Sequence, residues 1–389
     1  MQRERERDDE SQDPCEEPDG GRSQRRTVRL SLFTWERLGA LVAVLALGLA
    51  FVEDEAVTAG KDGFTLGGHL GLIETLRFSP DGKTLLSSGW DRTVRVWDVR
   101  DPLAGGFGQE QARLSIVGEI YAAEFSPDGR TVAVAGLDGL TIWDWQDDGA
   151  DPRTVEAVGA NRSLTFSPDG KTLVLGGFDH QVRLVDVQSG SVKATLGGHL
   201  DVVRKLAFTP DARRLISLSY DGRLKTWDLG DQVREVRFFH DLDDAARPIL
   251  TFALNPVGDL LALSRLNVPS SDQIEIWDAV GGRAKTMCEA AERESHALAF
   301  SQDGGVLASC GSDLRIHFWN PKSGKTAGVL EGATGWVRTL DFSADGRWLA
   351  LSSVPDQVLL KRISLPAGMP VHPATAVAPP RPSQRPHAV

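Results

Sequence analysis

Two sets of histidine, serine and aspartate have the residue types of a nucleophilic catalytic site, in which a base activates a hydroxyl group. Each set is followed by a tryptophan: His69, Ser87, Asp91 and Trp97 form one, and His199, Ser217, Asp221 and Trp227 form the other. Both sets have internal spacings of 18, 4 and 6 residues. A domain builds its active site once, whereas structural units repeat. The identical spacing therefore favours a structural role over catalysis.

Other residues have types that suit metal or phosphate chemistry. The stretch His-Asp-Leu-Asp-Asp at 240–244 contains metal-ligand types, but nothing fixes their geometry, and we interpret it as a solvated loop. Cys15, Cys288 and Cys310 show neither metal spacing nor a disulfide framework. Cys288 and Cys310 are expected to be free buried thiols, although they could pair after export. No glycine-rich loop joins a strand to a helix. We therefore expect no catalytic, cofactor-binding or metal-binding residue and no enzymatic activity.

The elements that must position these residues repeat seven times along the chain. Each unit contains a turn such as Phe-Ser-Pro-Asp-Gly at 78–82 and, in most units, a later run that ends in Trp-Asp, as at 97–98. Successive end positions are separated by 46, 42, 42, 50, 42 and 42 residues. A fixed period and an alternation of polar and apolar residues indicate repeated β-strands. The sequence predicts an all-β fold of seven four-stranded antiparallel sheets, preceded by one apolar helix.

On these motifs, residues 62–364 resemble the WD-repeat β-propeller family, in the form of a bacterial, membrane-anchored member. The resemblance implies that each complete histidine, serine, aspartate and tryptophan set is a buried hydrogen-bond network within one blade. Only units 1 and 4 carry the complete set, so the other blades are expected to depend on packing alone. It also implies that residues 63–66 supply the outermost strand of the seventh blade and close the ring.

The two ends of the chain differ in composition from the repeats. Residues 1–29 are charge-dense and predicted to be disordered, and the Pro- and Ala-rich tail at 365–389 is predicted to be extended and mobile. Leu38–Val52 is a run of 15 apolar or small residues, within a membrane-anchor helix predicted at 30–52 and followed by a linker at 53–61. Arginines before the run and acidic residues after it predict a cytoplasmic N-terminus and an extracytoplasmic propeller. A cleaved signal peptide and a buried soluble helix are the alternatives.

The remaining candidates are residues that, by the resemblance, face the opening of the ring. They lie on or just before the innermost strand of a unit, or directly before the aspartate of a turn. They are Leu72, Glu74, Trp90, Tyr121, Arg162, Phe178, Arg204, Tyr220, Leu250, His296, Trp336 and Arg338. Large aromatic residues are not required beside a turn, and Trp, Tyr and Arg are enriched at binding hot spots. We interpret the cluster as a surface for a protein or peptide; packing against a neighbouring blade is the alternative for each aromatic residue.

The charge of the chain limits the kinds of partner. A net charge of −11 argues against general nucleic-acid binding, which requires a basic surface. Unit 5 contains two insertions, at His240–Arg247 and Leu266–Asp272, expected on loops of one face. The sequence predicts a non-enzymatic, monomeric interaction scaffold tethered to a membrane. A cytoplasmic or secreted scaffold and a propeller-framed hydrolase or lyase are the alternatives.

Overall fold

The computed structural model describes residues 58–60, 63–103, 106–147, 149–155, 158–236, 239, 248–266, 274–288, 295–311, 313–331, 333, 335–353 and 356–363. The predicted N-terminal segment, membrane helix and C-terminal tail lie outside these residues. So do residues 240–244 and all of the two predicted unit 5 insertions except Leu266. None of the described residues belongs to a helix that is long and apolar enough to cross a membrane.

The described chain forms seven antiparallel sheets, the blades, which confirms the predicted all-β seven-bladed architecture. Two strands, β1 (Thr58–Gly60) and β2 (Gly63–Leu66), precede the first blade. Blade 1 contains β3 (Ile73–Phe78), β4 (Thr84–Gly89), β5 (Thr93–Asp98) and β6 (Glu110–Ser115), and blade 2 contains β7 (Ile120–Phe125), β8 (Thr131–Gly136), β9 (Gly139–Asp144) and β10 (Arg153–Val155). Blade 3 contains β11 (Asn161–Phe166), β12 (Thr172–Gly177), β13 (Val182–Asp186) and β14 (Val192–Leu196).

The remaining blades follow the same order. Blade 4 contains β15 (Val203–Phe208), β16 (Arg214–Ser219), β17 (Leu224–Asp228) and β18 (Arg234–Val236), and blade 5 contains β19 (Ile249–Leu254), β20 (Leu260–Arg265), β21 (Ile274–Asp278) and β22 (Arg283–Cys288). Blade 6 contains β23 (Ser295–Phe300), β24 (Leu307–Gly311), β25 (Ile316–Trp319) and β26 (Thr326–Leu330). Blade 7 contains β27 (Leu340–Phe342), β28 (Trp348–Ser353) and β29 (Gln357–Arg362), together with β2 and β1.

Blade 7 is assembled from both ends of the propeller. Strand β2 pairs with β29 from Gly63 opposite Lys361 to Leu66 opposite Val358, which confirms the predicted closing strand. Strand β1, within the segment predicted to be a linker, pairs with β2 and adds a fifth strand. Phe64 of β2 packs on Phe107 of blade 1, with ring centroids 4.5 Å apart. Ring closure therefore combines backbone pairing with aromatic packing.

The hydrophobic core is divided into seven clusters, each joining two adjacent blades. Because each blade is packed on both faces, its second strand is buried along most of its length, and β4 and β20 are buried throughout. Cys288 and Cys310 lie in two different clusters as free buried thiols, as expected. Burial raises the pKa of the Cys288 thiol to about 12.

The connections between strands define two faces of the ring. Turns from the first to the second strand of a blade lie on one face, where Ser79 Oγ donates to Asp81 Oδ1 at 2.7 Å in the Ser-Pro-Asp-Gly turn. Turns from the second to the third strand and connections to the next blade lie on the opposite face. We call this opposite face the upper face; it carries His69, Asp91 and their equivalents in the other blades.

Candidate partner-binding face and channel

The His69 set forms a hydrogen-bond network inside blade 1. His69 Nδ1 lies 2.8 Å from Asp91 Oδ2, and His69 Nε2 lies 2.7 Å from Ser87 Oγ. Trp97 Nε1 donates to the same hydroxyl oxygen at 2.8 Å. Burial raises the pKa of Asp91, but the hydrogen bond from His69 and its charge outweigh this effect and hold the pKa at about 2. His69 and Ser87 are both buried, so this geometry holds the turn against the blade and does not present a nucleophile to solvent.

Blade 4 contains the same arrangement. His199 contacts Asp221 Oδ2 through Nδ1 at 3.2 Å and Ser217 Oγ through Nε2 at 2.8 Å. Trp227 Nε1 donates to Ser217 Oγ at 2.8 Å. Both Ser217 and His199 are buried. The repetition of one buried geometry in two blades supports the structural interpretation of both sets.

The expectation that the other blades depend on packing alone is wrong for blade 6. Trp319 Nε1 donates to Ser309 Oγ at 2.9 Å, and His317 Nε2 lies 2.6 Å from Asp313 Oδ2. The His317 ring also stacks on Trp319, with centroids 5.8 Å apart. His317 lies on the third strand, four residues after the turn aspartate. From there it contacts that aspartate, just as His69 does in blade 1 from its position before the first strand. This blade therefore holds its turn without the usual histidine.

Blade 5 has a charged network that the expectation also missed. Glu275 accepts hydrogen bonds from Arg265 Nε at 3.0 Å and from Trp277 Nε1 at 2.9 Å. All three side chains are buried. A buried charge is stable only when it is paired and hydrogen-bonded, and Glu275 satisfies both conditions. The sequence signal was a glutamate two residues before the repeated tryptophan, on the same side of β21.

A β-bulge turns one residue of most inner strands into the channel. The pairing of the first and second strands shifts register at this position in blades 1 to 6. The residues at the shift are Glu74, Tyr121, Arg162, Arg204, Leu250 and His296, all candidates from the sequence. They and Arg338 line one cavity of about 500 Å³ along the ring axis. A bulge redirects side chains in this way because it inserts one unpaired residue into a strand.

Glu74 is the centre of the hydrogen bonding at the mouth of this channel. Arg162 Nη2 donates to Glu74 Oε2 at 3.1 Å, and Arg338 Nη2 lies 3.0 Å from Glu74 Oε1. Trp90 Nε1 donates to Glu74 Oε1 at 3.0 Å. The predicted aromatic and arginine cluster is therefore brought together, but one carboxylate compensates two of its positive charges.

Each candidate arginine at the mouth also stacks on an aromatic ring. The pairs, with the distance from the guanidinium carbon to the ring centroid, are Arg162 on Tyr121 (5.1 Å), Arg204 on Tyr220 (4.9 Å) and Arg338 on Trp90 (5.9 Å). Phe178 packs on Tyr121 with centroids 5.1 Å apart. These contacts support the packing alternative for Trp90 and Phe178, which are half-buried. Tyr220 and Trp336 differ, because they are 43% and 57% exposed.

The upper face also carries apolar side chains that the sequence reasoning did not single out. Leu70, Val117 and Leu200 are exposed, and each lies three residues before an inner strand. Leu137 is exposed at the position of blade 2 that Trp90 occupies in blade 1. The signal that could have found them was their constant offset from the repeated turn. The candidate Leu72 is half-buried, and its carbonyl accepts the Trp90 N–H at 2.9 Å.

Below the mouth, the channel wall contains further ionisable groups. Burial raises the pKa of Glu124 to about 7, against the nearby charge of Arg77. Burial lowers the pKa of Lys205 to about 7, and the charges of Arg77 and Arg204 act in the same direction. In the part of the chain that the structure describes, no group of three or more His, Cys, Asp or Glu side chains could hold a metal ion. The channel therefore offers charged hydrogen-bonding groups and no evident metal centre among the described residues.

Seven blades of four or five antiparallel strands around a central channel define the class of protein: a seven-bladed β-propeller. Five segments of the chain match the family model for the WD domain, G-beta repeat: residues 60–98, 158–186, 190–228, 293–320 and 324–357. These matches support the WD-repeat β-propeller family.

Similar proteins include rat apoptotic protease-activating factor 1, which is 24% identical over 83% of this chain and 24% of its own length. Nuclear distribution protein PAC1 of Arthroderma benhamiae is 26% identical over 46% of this chain and 33% of its own length. Transcription initiation factor TFIID subunit 5 of Caenorhabditis elegans is 30% identical over 42% of this chain and 25% of its own length. The aligned part of the chain thus spans between a quarter and a third of these relatives.

Proposed function

We propose that this chain is a non-enzymatic scaffold that binds a protein or peptide partner across the upper face of the propeller. The observation that carries the proposal is the distribution of exposed apolar side chains. Among the described residues, 13 large apolar side chains are exposed, and seven of them lie on loops of the upper face. These seven are Leu70, Val117, Leu137, Leu200, Tyr220, Leu314 and Trp336. Concentrated apolar exposure beside polar groups is typical of an interaction surface.

The mouth of the channel supplies the polar part of this surface. Tyr220 and Trp336 offer rigid aromatic area at a low cost in conformational entropy, and the neighbouring arginines offer directed hydrogen-bond donors. The family and relatives support the proposal, because one is by name a subunit of a transcription initiation factor. We assign the partner-binding role to the candidate mouth residues, with Tyr220 and Trp336 as the main apolar contacts.

We also propose that the protein is a monomer tethered to a membrane by residues 30–52, with the propeller outside the cytoplasm. Support comes from the apolar run Leu38–Val52 and from the asymmetry of the flanking charges. A reporter that is active only outside the cytoplasm, fused after Val389, should be active, and one fused before Met1 should be inactive. Carbonate washing should leave the full chain in the membrane fraction. Release by carbonate, or an inactive C-terminal reporter, would refute the tether or its orientation.

The binding proposal is tested by comparing apolar side chains on the two faces. Trp336→Ala and Tyr220→Ala should each reduce recovery of a partner identified by proximity labelling, at a cost of about 2 kcal/mol in binding. Their unfolding temperatures should stay close to that of the wild type. The matched control is Val257→Ala, because Val257 is 64% exposed on the opposite face. An equal loss of the partner in this control would contradict the proposal, as would a loss of stability in Trp336→Ala as large as in Trp97→Ala.

A further inference from the structure

Two consecutive basic residues of β15 line the channel wall in blade 4, and their contacts with the described residues are to neutral groups. Arg204 Nη2 donates to the carbonyl of Ile249 at 2.9 Å and also to that of Leu250, and its guanidinium lies under Tyr220. Lys205 Nζ donates to Thr251 Oγ1 at 3.2 Å and lies 5.5 Å from the centre of the Phe252 ring. None of these contacts supplies a negative charge.

Arg204 and Lys205 differ in this respect from other basic residues of the channel. No carboxylate of the described chain lies within ion-pair distance of either side chain, whereas Arg162 and Arg338 both pair with Glu74. Arg204 Nε is also enclosed without a hydrogen-bond partner among the described residues. A buried cation without a counter-charge is unfavourable, and a buried donor without an acceptor adds to the cost. The arrangement is complete only when an acceptor with negative charge is added.

The carboxylates elsewhere in the channel are already engaged. Asp341 accepts the backbone N–H of Phe78 at 2.8 Å. Thr165 and the backbone N–H of Phe166 act on Glu124, lowering the pKa of its carboxyl group against the effect of burial. Arg77 acts electrostatically on Asp341 and Glu124, lowering the pKa of each carboxyl against the effect of burial. On the blade 4 side, the charge of Asp221 acts on Arg204, but among the described residues no carboxylate contacts Arg204 or Lys205.

We infer that Arg204 and Lys205 form an oxyanion-binding subsite, which takes a carboxylate or phosphate group inside the channel. The cavity of about 500 Å³ has room for such a group. The guanidinium of Arg204 and the ammonium of Lys205 provide charge-assisted hydrogen bonds, which are stronger than neutral ones. If the oxyanion belongs to an acidic side chain of the bound partner, the subsite deepens the proposed function and rests on it. If it is free phosphate, the channel is a separate small-ligand site.

Binding at this subsite must take up protons near neutral pH. Lys205 has a pKa of about 7 in the free protein, because burial and the charges of Arg77 and Arg204 disfavour its ammonium form. A bound anion favours the ammonium form and raises that pKa, so affinity should fall as pH rises above 7. Glu124, whose pKa is about 7, lines the same channel, and His296 is a further residue of that lining. The difference in proton uptake between the wild type and Lys205→Met therefore measures the contribution of Lys205, separately from the other groups.

The test is calorimetric titration of the purified full chain with two probes, inorganic phosphate and a short glutamate-rich peptide. Arg204→Gln and Lys205→Met should each weaken binding about tenfold or more, the loss of one charge-assisted hydrogen bond. Titrations in buffers of different ionisation enthalpy should show proton uptake that Lys205→Met reduces. Lys193→Met is the matched control, since Lys193 is a lysine on the exposed outer strand of blade 3, and it should bind like the wild type.

The outcomes separate the source of the anion and the two proposals. Binding of phosphate that depends on Arg204 and Lys205 supports a free-ligand site, and dependence seen only with the peptide supports a partner side chain. If both variants bind each probe like the wild type, or if the wild type binds neither, the subsite is refuted. Lys205→Met should unfold at or above the wild-type temperature, because it removes a buried cation that has no ion-pair partner among the described residues. Peptide binding that needs Arg204 but tolerates Trp336→Ala would uphold the subsite and contradict the proposed upper face.

Discussion

Replacing Glu74 by glutamine should destabilise the propeller and at the same time strengthen binding of anions at the channel mouth. Glu74 pairs with Arg162 and Arg338 at 3.1 and 3.0 Å. Its side chain is 6% exposed, while those of the two arginines are 16% and 36% exposed. Ion pairs at this depth lie between the exposed and the buried limits, so we assign each about 1 kcal/mol. Glutamine retains an acceptor for Trp90, so the unfolding free energy should fall by about 2 kcal/mol.

The effect on binding has the opposite sign because the substitution removes one negative charge from the mouth. At a separation of about 10 Å and an effective dielectric constant of about 20, one unit charge contributes roughly 1–2 kcal/mol. Salt reduces this value, so a glutamate-rich peptide should bind about five times more tightly to Glu74→Gln than to the wild type. The gain should shrink as salt concentration rises, since it is electrostatic.

Glu110 provides a matched control for this substitution. It also pairs with two arginines, Arg95 at 2.8 Å and Arg113 at 2.6 Å, but it lies on the outermost strand of blade 1. Thermal unfolding should show a loss of roughly 4–8 °C for Glu74→Gln and a smaller loss for Glu110→Gln, whose pairs are more exposed. Only Glu74→Gln should change peptide affinity. Weaker peptide binding by Glu74→Gln, or an equal gain in Glu110→Gln, would refute the electrostatic reasoning.

Three further predictions concern stability. Deleting residues 1–57 should leave the unfolding temperature unchanged. Deleting residues 1–67 removes β1 and β2 and exposes the edge of β29, so it should lower the unfolding temperature strongly. Equal unfolding temperatures for the two truncations would contradict the closing role of β2. Ala212 has a positive φ of 55° at the turn position where six other units carry glycine, so Ala212→Gly should stabilise the protein by about 1 kcal/mol. Gly258→Ala is the reverse control and should destabilise the protein, because the new Cβ would lie 2.4 Å from Pro210. A loss of stability in Ala212→Gly would contradict the inference that the positive φ strains Ala212. The depressed pKa of Asp91, about 2, contributes stability that is fully present above the usual aspartate pKa and is lost as pH falls through about 2. Asp91→Asn should therefore lower the free energy of unfolding at pH 7, as measured with denaturant, and make it depend less on pH between about 4 and 2. An unchanged pH dependence in this range would show that Asp91 is not responsible for the loss of stability in acid.

The architecture could be predicted because its determinants are local and repeated. The Ser-Pro-Asp-Gly turn and the alternation of apolar residues recur in each unit, so seven weak signals reinforce one another. Ring closure followed from the likeness of residues 63–66 to the outermost strand of a later unit. The networks of blades 5 and 6 were missed because Glu275 and His317 use spacings that differ from the repeated set. A different residue type at a different position in the repeat can thus make the hydrogen bond that the buried tryptophan or the turn aspartate requires.

The pairing at the channel mouth could not be read from the sequence. Glu74 is separated from its partners Trp90 and Arg162 by 16 and 88 residues, and its third partner, Arg338, belongs to blade 7. The positions facing the ring were predictable, because each has the same offset from its repeated turn. Which charges neutralise one another depends on side chains from different blades, and the spacing of the repeats carries no information about that.

The charge left over in the channel follows from how the blades are joined. Ser163 Oγ donates to the Val203 carbonyl of the next blade at 2.8 Å, and Asp341 accepts the N–H of Phe78 across the closure of the ring. Polar side chains on the channel wall thus serve as inter-blade hydrogen bonds, and a carboxylate used in this way is less available as a counter-ion. In blade 4 the equivalent wall position holds Lys205, whose one hydrogen bond is to the Thr251 hydroxyl. Lys205 thus joins blades 4 and 5 through a neutral hydroxyl group, and this partner leaves its charge available for a ligand.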